Sequence, residues 1–156
     1  MTVILMRNPS SRFIVLRRKR MNLSHDTLCE LQSALVAMMM KYGKSKNRDY
    51  WPELCLTHDP DEPVQGEFLD ESDEIVVNMA QCETIRDAIE TMVHEYQHYL
   101  QGGSGGACDW HDRYFDMGYD YKSHPYEIQA EDIVKRDTDL FMPDNYMLDS
   151  GAHEIS

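Results

Sequence analysis

The sequence predicts an α+β single domain in which a small, mainly antiparallel sheet packs on a helix carrying His-Glu-x-x-His, with a second ligand-bearing helix beyond it. Three observations lead to this class. The stretch Thr91 to Leu100 places His94, Glu95 and His98 inside a run of helical periodicity. Three short, partly alternating runs bounded by turn clusters precede it, the pattern of strands. A proline-started segment follows, and its apolar residues again recur at helical spacing. A length of 156 residues suits one domain that can bury a core without staples. We expect that domain over residues 1–143, with residues 1–20 as a basic N-terminal segment able to form a hairpin and 144–156 as a loose C-terminal tail.

Taken in order, Thr2 to Met6 and Phe13 to Arg17 are apolar runs flanking the turn signal Asn8-Pro9-Ser10-Ser11. The tetrad Arg17-Arg18-Lys19-Arg20 that follows reads as a solvated basic edge docked on the acidic body, or as a contact for nucleic acid or a partner. Ser24 is an N-cap, and Leu28, Leu31, Leu35, Met38 and Tyr42 repeat at helical spacing until Gly43. The run Met38-Met39-Met40 is packing material for that helix. Lys44 to Arg48 is a basic connection, after which Trp51 to Thr57, Val64 to Leu69 and Glu74 to Met79 read as strands. The acidic turns between them lack the ligand spacing of an EF-hand loop.

Ile85, Ala88, Ile89, Met92, Val93, Tyr96 and Leu100 then form one helical stripe. Glu83, Thr84 and Asp87 open this helix, and Gly102-Gly103 close it. The glycines from 102 to 106 follow a helix rather than a strand and lack a Gly-Lys-Ser/Thr ending, so they are an exit and no phosphate cradle. Residues Asp109 to Tyr121 are rich in aromatics and aspartates and are assigned no element. Pro125 stands in the first turn of a second helix that runs to about Leu140, with Pro143 after it.

Charge is uneven along the chain. Residues 1–48 hold ten of the 15 basic side chains and two of the 28 acidic ones, within a formal net charge of −13. An acidic body disfavours nucleic-acid backbones, which leaves only the basic N-terminal segment for such a contact. Cys29, Cys55, Cys82 and Cys108 form no Cys-x-x-Cys pair and suit reduced thiols. No apolar run approaches a membrane span, and Thr2 to Met6 is too short for a signal peptide. The expectation is a cytoplasmic protein, host cytoplasm if phage-encoded, with a protein or peptide substrate as partner.

The chemistry centres on His94, Glu95 and His98. Two imidazoles four residues apart share a helix face and can hold two corners of a tetrahedral zinc. Glu95 projects about 100° round the helix, able to reach a metal-bound water as general base without being a ligand. The bland reading is a pair of surface histidines on an amphipathic helix. A catalytic zinc needs a third protein ligand. Gln101 and Ser104 stand where the metzincin continuation needs Gly and His, which turns attention to the second helix. There Glu127 and Glu131 are again four apart: Glu127 can bind the metal, and Glu131 can accept from the non-ligating nitrogen of His94 or His98. Ala130 between them lets the helices approach. Tyr121, His124 and Tyr126 are candidates for stabilising an oxyanion; His58 reads as a loop histidine.

His94-Glu95-Tyr96-Gln97-His98 together with Pro125-Tyr126-Glu127-Ile128-Gln129-Ala130-Glu131 resembles the zincin metallopeptidases with a Glu third ligand, the gluzincins. The similarity is to the short single-domain forms of bacteria and phages. It implies a zincin-like fold, one Zn2+ per chain held by His94, His98 and Glu127, and peptide-bond hydrolysis with Glu95 as base. Thermolysin-like enzymes usually carry Asp where Glu131 stands here. A rival resemblance lies in His111-Asp112-Arg113-Tyr114-Phe115, which is similar to the third-ligand region of SprT-like proteases and would make His111 the ligand. A non-catalytic zinc-binding partner-interaction domain is the alternative from a different class.

Overall fold

In the computed structural model, residues 3–7, 13–17, 23–101 and 107–143 are described, with side chains over 23–101 and 112–143. The elements in chain order are β1 (Val3–Arg7), β2 (Phe13–Arg17), α1 (His25–Tyr42), β3 (Glu53–Thr57), β4 (Gly66–Leu69), β5 (Glu74–Asn78), α2 (Ile85–Gln101), α3 (Ala107–Asp116) and α4 (Pro125–Phe141), with a 3-10 turn at Met79–Gln81 before α2. No helix among the described residues is long and apolar enough to cross a membrane.

The strands form one sheet in the order β1-β2-β3-β5-β4. Its mixed character corrects the expected mainly antiparallel sheet. β1 with β2 and β4 with β5 are antiparallel, whereas β2 with β3 and β3 with β5 are parallel. Connectivity is the reason: α1 intervenes between β2 and β3, allowing them to run the same way, and β5 inserts between β3 and β4. Alternation within each strand carries no record of either placement. A second departure is α3, a helix where none was expected. The C-terminal tail 144–156 and the glycine exit 102–106 lie outside the described residues, as do Arg18, Lys19 and Arg20.

Local signals set the helix ends. Ser24 Oγ accepts the Thr27 N–H at 3.1 Å, and Gly43, at φ +77°, donates its N–H to Met39 O at 2.9 Å. At the start of α2, Thr84 Oγ1 accepts the Asp87 N–H while Asp87 Oδ2 accepts those of Glu83 and Thr84, a reciprocal cap of the Ser/Thr-x-x-acid kind. The core collects Leu31, Leu35 and Met38 of α1, Leu54, Leu56, Ile75 and Val77 of the sheet, and Ile89, Met92, Val93, Tyr96 and Tyr99 of α2. α2 is therefore walled by α1 and the sheet on its apolar face.

Two tyrosines tie the 43–50 connection to that helix. Tyr96 donates to Gly43 O at 2.7 Å and Tyr99 to Tyr50 O at 2.8 Å, and Tyr99 Oη also receives the Ser45 N–H at 3.1 Å. Tyr42 of α1 reaches α4 through Asp137 at 2.6 Å, and Arg86 of α2 reaches it through Asp139 at 2.7 Å. The turn leading into β4 is organised by the buried Asn78. Its Nδ2 faces the carbonyls of Asp59, Glu62 and Val64, and its Oδ1 accepts the Asp59 and Ala80 N–H groups.

Strand β4 lies close along α2. A Cβ at Gly66 would meet Thr91 Cγ2 at 2.2 Å and Val76 O at 2.9 Å, so only glycine allows this approach. Gly66→Ala is expected to lower stability by about 1–3 kcal/mol, the usual range for overpacking. Thr91→Ser in the same chain, which removes the closest methyl, should recover part of the loss in denaturant titrations. An unchanged midpoint for Gly66→Ala would mean that β4 does not sit this close to α2.

Candidate metal centre

His94 and His98 lie one turn apart on α2, and Glu127 enters from the first turn of α4. Glu127 Oε2 is 2.9 Å from His94 Nε2, and its Oε1 is 3.0 Å from His98 Nε2; the two Nε2 atoms are 3.1 Å apart. This group could hold a metal ion, with one donor atom from each residue and all of them within 4.8 Å of one another. Ala130 is fully buried, and its small side chain suits the expected close approach of the two helices.

The outer nitrogens are also committed. His94 Nδ1 is 2.8 Å from Glu131 Oε1, and His98 Nδ1 is 2.8 Å from Gln101 Oε1. The Gln101 amide is oriented because its Nε2 donates to Tyr126 O at 3.0 Å and to Gln129 Oε1 at 2.6 Å. Its oxygen must then face His98, and an oxygen can only accept. His98 Nδ1 therefore carries the proton, and in the neutral ring Nε2 presents a lone pair; the Glu131 carboxylate imposes the same tautomer on His94. Two lone pairs and a carboxylate converge on one point, which is favourable only with positive charge among them.

The electrostatics agree. Burial alone would push both imidazoles below their ordinary range, but hydrogen bonds to Glu127 and the charges of Glu95 and Glu127 outweigh it, and both are raised. Glu95 is 7% exposed. Burial pushes its carboxyl above the usual carboxylate range, while His98 and His94 pull the other way. The Tyr121 phenol is raised as well, by burial and then by the Glu127 charge.

These groups line a cleft of about 740 Å³. Gly66, Glu67 and Phe68 of β4 form one wall, His94, Glu95 and His98 of α2 line its centre, and Glu127 and Glu131 of α4 stand with Tyr121 and Tyr126 beyond. His124, an expected oxyanion candidate, is fully buried and instead caps α4, its Nδ1 accepting the Tyr126 N–H at 3.1 Å. His58 is exposed in the turn before β4. His111 falls on α3, but its side chain lies outside the described residues. Gln101 is the residue that sequence reasoning missed. It had entered only as the position where a glycine would continue another motif, although its three-residue step from His98 places both on one helix face.

No protein-family model, no curated protein and no solved structure matches the chain. The geometry yields a graded expectation for metal affinity. Glu127→Ala removes a charged donor and should weaken metal binding most. Glu131→Ala and Gln101→Ala leave the donors in place but free the rings, a change that typically costs about 10 to 100-fold. Competition with a chromogenic chelator, with circular dichroism to confirm folding, would rank them; equal affinity in wild type and Glu127→Ala would remove Glu127 from the ligand set.

Proposed function

We propose that this protein is a zinc-dependent metallopeptidase of the gluzincin-like kind, with His94, His98 and Glu127 as ligands and Glu95 as general base. The observation that carries the reading is the convergence of both Nε2 atoms on the Glu127 carboxylate, with both Nδ1 positions already occupied. Two imidazole nitrogens and one carboxylate oxygen suit zinc and leave a coordination position open for catalysis. A bound zinc ion would acidify a water and polarise the scissile carbonyl.

The chain's own groups do the rest. Glu95, adjacent in sequence to one ligand and raised by burial, is poised to take a proton and return it to the leaving amine. Tyr121, which lines the cleft together with Glu127, can donate to a developing oxyanion. Among the described strands β4 pairs with β5 alone. The Asn78 N–H to Gln65 O bond sets the ladder phase, so that the backbone polar groups of Gly66 and Phe68 turn away from β5. An extended peptide can pair with that edge beside Glu95.

Glu95→Gln tests the assignment, because the amide keeps size and polarity but cannot act as base. The expected outcome is zinc content equal to wild type with peptide hydrolysis lowered by about 100-fold or more, within the range for losing a positioned base. Hydrolysis at the wild-type rate would dismiss Glu95 from the mechanism. Wild-type protein that takes up no zinc would overturn the metallopeptidase reading as a whole.

A further inference from the structure

The walls of the cleft carry charge as well as shape. Strand β4 contributes Glu67, α2 Glu90, α3 Asp112 and α4 Glu131, so acidic side chains come from four different elements around one opening. Glu67 and Asp112 are exposed and have no cationic partner among the described residues. Glu131 keeps about half of its side chain exposed although one oxygen meets His94. Glu90, at 3.0 Å from Arg86, is the one acid of these four with a cation beside it.

Apart from the two histidines of the candidate metal centre, Arg48 is the only basic side chain among the described residues lining the cleft, and its charge is already met. Its Nη1 lies 2.7 Å from Asp70 Oδ1 and 3.0 Å from Asp73 Oδ1, and its Nε donates to Tyr99 O at 2.8 Å. The guanidinium also stacks 4.6 Å from the Phe68 ring centroid, and the side chain is 4% exposed. It cannot offer an anionic substrate a free counter-charge. A dication held by Glu127 and the two imidazoles would leave Glu67, Asp112 and the exposed side of Glu131 uncompensated.

An extended peptide laid along β4 would pass between Glu67 and the carboxylates of α3 and α4. We infer that the cleft selects basic peptides, with lysine or arginine side chains flanking the scissile bond and Glu67, Asp112 and Glu131 supplying the opposing charge. This substrate class rests on the metallopeptidase reading for its cleavage step but not for its binding step. Like-charged peptides are repelled by the same walls, which makes the selection two-sided.

The test separates the two. Fluorescent peptides of one length and apolar content, differing only in lysine, serine or glutamate at alternate positions, are titrated by anisotropy against zinc-loaded Glu95→Gln protein. The lysine peptide should bind at least about tenfold more tightly than the glutamate peptide, and raising ionic strength several-fold should shrink the gap. The Glu67→Gln/Asp112→Asn variant should lose most of the preference, its affinity for the lysine peptide falling towards that for the serine peptide. Asp26→Asn/Asp132→Asn, which removes two exposed charges that do not line the cleft, should keep it. Equal affinity for all three peptides, tighter binding of the glutamate peptide, or the same loss from both double variants would overturn the inference. Cleavage by the wild-type protein is then scored separately: charge-selective binding with no hydrolysis of any peptide sinks the peptidase reading alone, and hydrolysis without charge selection sinks the substrate class alone.

Discussion

Two imidazole nitrogens and a carboxylate are held about 3 Å from one another inside the protein, and the elements around them are packed so as to keep them there. Such a cluster is costly to assemble. Its members lose hydration on burial, and lone pairs that face one another repel unless a proton or cation lies among them. The raised His94 and His98 are the protein's own response, since protonation places positive charge where the field demands it. A divalent ion would satisfy the same demand more fully, and its binding would then be linked to folding stability at this site.

Holding the cluster requires rigid support, and the fold supplies it from behind. α2 is buried on nearly every side through its central turns, and its fully buried Tyr96 and Tyr99 use their hydroxyls to fasten the 43–50 connection. Arg86 to Asp139 and Tyr42 to Asp137 join α4 to the two helices beside it. Arg136 and the Tyr42 hydroxyl keep the Asp137 carboxyl below the usual carboxylate range, so the latter contact favours an ionised, anchored Asp137. Glu127 thus reaches the histidines from an element that is itself tied down.

The same support sets the shape of the cleft. Because Gly66 lacks a Cβ, β4 can lie along α2 beside Thr91 and Glu95. Gln65 reinforces this by donating to Thr91 Oγ1 at 2.8 Å and to Asp87 O at 3.1 Å. Asn78 holds the preceding turn by its backbone, so an acidic segment that invites a calcium reading is organised by an amide. A strand edge unpaired among the described strands, a buried carboxylate and a group that could hold a metal ion are brought to one wall-lined space.

Features set by near neighbours were legible in the sequence. A four-residue step puts His94 and His98 on one face wherever that helix is placed, and the Ser24, Thr84, Gly43 and Pro125 signals mark ends through bonds to near neighbours. Glu127 and Glu131 were legible for the same reason, as a second four-residue step. Tertiary packing made these two pairs face each other, set Glu131 against His94 and Gln101 against His98, and brought β4 rather than another strand to the border of the cleft. It also decided the parallel pairings of β3. These outcomes depend on partners distant in the chain, and periodicity reports which face of an element is apolar without naming what covers it.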